Sequence, residues 1–292
     1  MKKLIVILIL AMVPSIMMAQ AAGGTIKRTT GKNTKTEKIS VKKKDKSPQS
    51  PKNEKYDWTA PSMTQAQREQ IVQNILNNMI YVEGGTFMMG DPSVKENSNS
   101  VNQLLHKVSV QSFYIGKYEV TQEEWYSIMG NNPSKYKGDK RPVEQVGLNE
   151  CEEFISRLNA VTGRNFRLPT EEEWEYAARG GKFTRQYEYA GSNNVNSVAW
   201  HGENSGSGVG HTHLVGKKNP NELGLYDMSG NVGELTQGLY ISTLNGSCHI
   251  YRGGSYLVGP HHCTVYDRDF KNDRSTSNGI NWNGLRLVMD FR

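Results

Sequence analysis

After Gly181 the hydrophobic period of this 292-residue chain disappears. From Lys182 onward, roughly a hundred residues run without the apolar spacing that marks an amphipathic helix or a half-buried strand. Brief apolar runs such as Val198-Ala199-Trp200 and Leu285-Arg286-Leu287-Val288 are set among Gly, Asn and Ser. No repeat of solenoid period is visible. A chain of this kind is expected to fold as a loop-rich α+β domain with short strands.

The regular signals lie upstream and are well punctuated. Thr64 with Gln67, Thr121 with Glu124, Asn149 with Glu152, and Thr170 with Glu173 each have the spacing of a capping box at a helix start. Ile71, Ile75 and Met79 place a leading helix within residues 61–80, and Gly130, Gly163 and Gly180-Gly181 stand where helices end. In the third helix Cys151, Ile155 and Leu158 share a face, so Cys151 reads as a small buried hydrophobe. Ile80-Tyr81-Val82 and Thr86 to Met89 read as strands around the Gly84-Gly85 turn, with a second strand pair at Val108 to Val110 and Phe113 to Ile115.

Residues 1–20, with Lys2, Lys3, an apolar run and Ala19-Gln20, have the form of a cleaved signal peptide. Residues 21–60 are too polar to bury a core and read as a basic disordered linker, in which Lys42-Lys43-Lys44 could contact acidic envelope polymers. This placement decides what the formal charge of +6 means. Lys2, Lys3 and the linker's 11 basic and 4 acidic residues leave residues 61–292 with 22 basic against 25 acidic side chains. A nucleic-acid partner is therefore not expected, nor is a stable transmembrane segment after cleavage. The protein is expected to be periplasmic or extracellular. Three widely spaced cysteines, Cys151, Cys248 and Cys263, make neither a disulfide framework nor a paired zinc site, though Cys248 and Cys263 could be bridged.

Six blocks resemble, in order, the formylglycine-generating-enzyme (sulfatase-modifying-factor) family. They are Val82 to Gly90, Tyr118 to Thr121, Phe166 to Gly181 (FRLPTEEEWEYAARGG), Gly224 to Val232, Tyr251 to Tyr256 and Gly284 to Val288. The resemblance covers residues 81–292 and implies the family's variant of the C-type-lectin-like fold.

Oxidase members of that family hold copper(I) between two cysteines five residues apart, following an Arg-Gly-Gly-Ser motif. Soft thiolates suit that ion. Here Cys263 matches the second position and Val258 stands at the first, so copper is not expected. Gly233, Leu235 and Leu148 also replace tryptophans common in the family. The resemblance makes Cys263 structural, Ser255 a groove residue, and Arg268 the arginine of the strand that follows; Cys263 and Ser255 would be catalytic only in an enzyme.

The resemblance further implies a structural calcium held by the carboxylates of Asp227 and Glu234 and the carbonyls of Gly230 and Val232, hard donors that suit that ion. His211, His213, His261 and His262 read as solvated loop residues, and Gly206 to Gly210 lacks the context of a phosphate loop. The expected function is an exported envelope module, without copper/thiol formylglycine formation, that binds a peptide, a glycan or an envelope protein. The alternatives are an oxidoreductase that converts a substrate cysteine to formylglycine or performs thiol redox through Cys263, alone or with Cys248, and a component of a gliding or secretion machinery.

Overall fold

The computed structural model describes residues 62–95, 104–242, 246–271 and 282–291. The chain divides into two units, residues 1–53 and 54–292, and all described residues lie in the second. The signal peptide and basic linker fall outside the described residues.

Three of the four capping boxes form as the spacing predicts. Helix α1 (Gln65–Asn77) starts at Thr64, α2 (Gln122–Met129) at Thr121, and α4 (Glu171–Ala178) at Thr170, each with reciprocal side-chain and backbone bonds. Helix α3 (Leu148–Thr162) departs from the prediction by beginning two residues early. Its N-cap is Gly147, whose N–H donates to the Glu150 carboxylate at 2.9 Å. Asn149 and Glu152 are exposed within the helix. Cys151, Ile155 and Leu158 do share its buried face, beside Phe154.

Strands β1 (Met79–Val82), β2 (Gly85–Met89), β3 (His106–Val110) and β4 (Phe113–Gly116) form where expected, except that Met79, expected on the leading helix, opens β1 opposite Gly116 after α1 has stopped at Asn77; nor do the strands pair as two hairpins. β1 pairs with β4 and β2 with β3, in a register that runs on unchanged from Met79↔Gly116 through Val82↔Phe113 and Gly85↔Val110 to Met89↔His106. The four strands are thus one antiparallel ribbon bent where Glu83-Gly84 faces Gln111-Ser112. Gly84 makes the bend possible, because a Cβ there would stand 2.5 Å from the Val110 carbonyl oxygen.

One end of this ribbon enters a four-stranded sheet, β1-β4-β10-β5, completed by β5 (Phe166–Arg167) and β10 (Val288–Asp290). Alternation along the strands fills both faces of this sheet. Met79, Phe166, Leu287 and Met289 pack with α1, α2 and α3 on one side, around the parallel stack of Trp125 on Phe154. Val82, Phe113, Ile115 and Val288 pack with Trp174, Tyr176 and Ala177 of α4 on the other.

The stretch without period contains a short helix, α5 (Val195–Val198), and a second four-stranded sheet, β8-β7-β6-β9. Its members are β6 (Gly233–Ser242), β7 (Gly246–Arg252), β8 (Arg268–Lys271) and β9 (Asn283–Gly284). Alternation in β6 is hidden because the β6–β7 register shifts between Leu235 and Leu239. At that bulge the Gln237 N–H donates to the Pro169 carbonyl at 2.9 Å, tying the sheet to the lead-in of α4. Among the described residues no helix is long and apolar enough to cross a membrane.

Candidate functional site

Helix α4 sets the floor of the site through three buried glutamates, each held by an arginine from another element or turn. Glu171 accepts two bonds from Arg268, at 2.7 and 2.9 Å, and one from Arg252 at 3.3 Å. Glu175 accepts from Arg252 at 2.6 Å and, on its other oxygen, from Arg179 and the Gly90 N–H at 2.9 Å each. Glu173 takes a two-pronged bond from Arg167, 2.7 Å on each prong. Paired in this way, buried charges avoid the desolvation cost of isolated ones.

Above this floor, against the second sheet, lies a groove of about 320 Å³. Arg268, Phe270, Trp282, His262, Asp267 and Val258 are among its lining residues. The sequence-predicted groove residue Arg268 is there, with its guanidinium held by Glu171. Val258, the residue in place of a first thiol, also lines the groove, whereas Cys263 and Ser255 are fully buried and do not.

Cys263 caps the single turn Pro260–His262 and packs with Tyr189, Val198 and Ala199, with Val258 against the cluster. Its sulfur lies 4.0 Å from the Gly259 carbonyl oxygen, and burial pushes the thiol up to about 12. Gly254 explains the double glycine before Ser255: its φ is +69°, and a Cβ there would stand 2.4 Å from the His262 carbonyl oxygen and 2.9 Å from the Cys263 sulfur. The Ser255 hydroxyl accepts the Leu257 N–H at 3.3 Å and turns the loop. None of the three cysteines is in a disulfide; Cys151 is buried, with its thiol held well above its ordinary range by desolvation, and Cys248 lies on β7.

The tryptophan-replacing positions are also accounted for. Gly233 lines the groove with Trp282 beside it, while Leu235 is buried in the core and Leu148 packs at its margin. Trp282, Phe270 and the His262–Asp267 pair (3.1 Å) were not singled out from sequence, because no periodic pattern surrounds them. Glu119 was also missed as a charged site residue, although its block Tyr118 to Thr121 was recognised.

Glu119 belongs to a second buried charge cluster. The turn from Asp227 to Glu234 has left-handed backbone at Asp227, Gly230 and Asn231, with φ of 58°, 79° and 59°. Glu234 accepts from Arg286 at 2.5 and 2.9 Å and from the Trp174 ring N–H at 2.6 Å. Glu119 accepts from the Asn231 amide at 2.6 Å and the Val232 N–H at 3.0 Å. One oxygen of Asp227 accepts the Gly216 N–H at 2.7 Å, and the other is buried with no hydrogen-bond partner.

Three buried carboxylates thus face one buried guanidinium. Burial raises the Glu119 carboxyl well above its ordinary range, reinforced by the charges of Asp227 and Glu234. Burial likewise pushes Asp227 up to about 6. The bare Asp227 oxygen and the excess negative charge fit a hard cation. Glu234, with Arg286 and Trp174 on its oxygens, contributes charge more readily than a vacant donor atom. Among the described residues no group of three or more His, Cys, Asp or Glu side chains is arranged to hold a metal by itself.

The histidines divide. His261 and His262 are exposed, as expected, but His213 is half-buried, stacked on Trp200 at 3.7 Å and 4.6 Å from His211. Burial lowers the His213 pKa, so its ring favours the neutral form. The solvated reading fails for His213 because Trp200 and the Ser205 carbonyl, 3.0 Å from its Nε2, hold the ring inside.

Residues 64–291 match the family described as "Sulfatase-modifying factor enzyme 1-like domain", and the chain belongs to that family. It is 35% identical over 207 residues to the "Chaperone protein LppX" of Paenibacillus barcinonensis, covering 55% of this chain and 71% of that one. It is 24% identical over 283 residues to the formylglycine-generating enzyme of Bos taurus, covering 73% and 74%. Among solved structures, Treponema denticola variable protein 1 superposes with a TM-score of 0.61 at 30% identity, over 73% of this chain and 95% of that one. The α+β fold is therefore of the formylglycine-generating-enzyme type.

Proposed function

We propose that this protein is an exported accessory module of the cell envelope that uses the groove around Arg268 to bind a segment of a partner protein, without copper/thiol formylglycine formation. The observation that carries the reading is the pairing of Val258 with Cys263. An apolar side chain lines the groove at the position of the first thiol, and the remaining thiol is sealed below with its pKa at about 12. Thiolates are the copper ligands and the nucleophiles; this site offers none at neutral pH.

The groove itself has the parts of a binding surface. Phe270 and Trp282 supply apolar area, and Asp267, Asp269 and His262 supply polar edges on a base fixed by the Arg268–Glu171 pair. Accessory binding agrees with the chaperone named among its relatives. The sequence features of residues 1–60 support export. The Asp227 turn is proposed to hold a structural calcium, with Asp227, Gly230, Val232 and Glu234 as its donors and charge partners; the ion would neutralise excess buried charge and take no part in chemistry.

The test is aerobic incubation of the purified protein, supplied with copper(I), with a peptide carrying Cys-x-Pro-x-Arg. Mass spectrometry is expected to return the cysteine unchanged beside an active control enzyme. Conversion to formylglycine would overturn the reading.

A further inference from the structure

A different surface has the chemistry of a small-molecule site. On the face of the first sheet, between the C-terminal parts of α1 and α3, lies a pocket of about 460 Å³, within the ~300–1,000 Å³ typical of ligand sites. Its floor is Met79, Tyr114 and Met289, and its rim carries Gln73, Arg164 and Phe291. Phe291 and Tyr114 form a three-ring platform with Tyr81, with centroids 5.1 to 6.0 Å apart. Tyr81 and Phe291 remain 43% and 52% exposed, an arrangement that water disfavours.

The polar rim is uneven in a way that identifies the ligand. Asp290 is occupied, accepting from Arg167 at 2.8 Å and from the Asn165 amide at 3.3 Å. Arg164 is exposed, and its guanidinium makes no hydrogen bond or ion pair with a described residue. A fork of donors over an aromatic wall is complementary to a carboxylate carried on a flat, partly apolar body. Of the floor residues, Tyr114 and Met289 lie on the central strands β4 and β10, and Met79 lies on the edge strand β1.

We infer that this pocket binds an acidic sugar, with the carboxylate of a uronate residue on Arg164, its C–H face on the Phe291 and Tyr114 rings, and its hydroxyls within reach of Gln73. The weakly positive hydrogens on a pyranose face suit the negative faces of aromatic rings, and the Gln73 amide, whose nitrogen donates to Asn77 at 3.0 Å, has a second N–H and its oxygen for the sugar hydroxyls.

Calorimetric titration of the full chain tests this with three probes: trigalacturonate, its methyl ester, and triglycine with a free carboxylate. The expected result is binding of trigalacturonate, with the uncharged ester about tenfold weaker or worse. Arg164→Gln, at an exposed position, should bring trigalacturonate down to the level of the ester. Phe291→Ala should weaken acid and ester alike. Absence of trigalacturonate binding, equal affinity for acid and ester, an unaffected Arg164→Gln variant, or triglycine binding as tightly as the sugar would each overturn the assignment.

Discussion

Two buried charge clusters meet at Trp174, and they are balanced differently. On the α4 side Glu171 and Glu175 are matched by Arg179, Arg252 and Arg268, and the Arg252 guanidinium lies 5.3 Å from the Trp174 ring centre. On the other side the Trp174 N–H reaches Glu234, and among the described residues Arg286 is the one fully buried cation that Glu119, Asp227 and Glu234 share. The matched cluster fixes the groove; the unmatched one leaves a carboxylate oxygen bare. The contrast separates charge that builds the scaffold from charge that the proposed calcium would neutralise.

The largest expected effect follows removal of the lone cation. Arg286→Met strands buried carboxylates and should destabilise the protein by about 3–5 kcal/mol in denaturant unfolding. A smaller loss, or none, would mean that the carboxylates are already protonated without it. Calcium should act in the opposite direction, and on this cluster alone. At a hundredfold excess over its Kd it would add about 2.7 kcal/mol, seen as a rise in Tm that Asp227→Asn abolishes.

The same cluster sets a pH dependence in chelator. Asp227 titrates near 6 in the folded chain against an ordinary 3.8. Between those values it is protonated when folded and ionised when unfolded, so its contribution to stability falls as pH rises from about 4 to 6. Calcium should flatten that slope; an unchanged slope with calcium bound would break the proposed link.

Arg252→Met tests the matched side. Glu171 keeps Arg268 and Glu175 keeps Arg179, so the cost should be about 2 kcal/mol, independent of calcium. The smallest expected effect is that of Val258→Cys. It changes a half-buried apolar position, so stability should move by less than about 1 kcal/mol, yet it adds the missing soft ligand at the groove.

Much of this arrangement was legible in the sequence because it rests on local rules. Three capping boxes placed the starts of α1, α2 and α4 to the residue, since both halves of each box act within one turn, whereas Met79 at helical spacing from Ile75 misled about where α1 ends. Helix α3 misled because its N-cap is Gly147, which has no side chain to signal. The strands of the bent ribbon were legible but their partners were not, since pairing across Gly84 is decided by a backbone contact between distant segments. The β6–β7 hairpin was hidden by its bulge. At the site, Arg268, Asp227 and Glu234 were singled out through the family resemblance, whereas the Arg164 pocket gathers residues from α1, α3's end and three strands that no local pattern links.

In the proposed function the groove holds no copper, because Val258 stands at the position of one thiol and the other thiol, Cys263, is buried. Copper(I) retention by the purified protein, in competition with a chromogenic copper(I) chelator, tests this directly. The wild-type protein should surrender the ion to the chelator, at a level unaltered by Cys263→Ser. One equivalent retained by the wild type and lost in Cys263→Ser would contradict it.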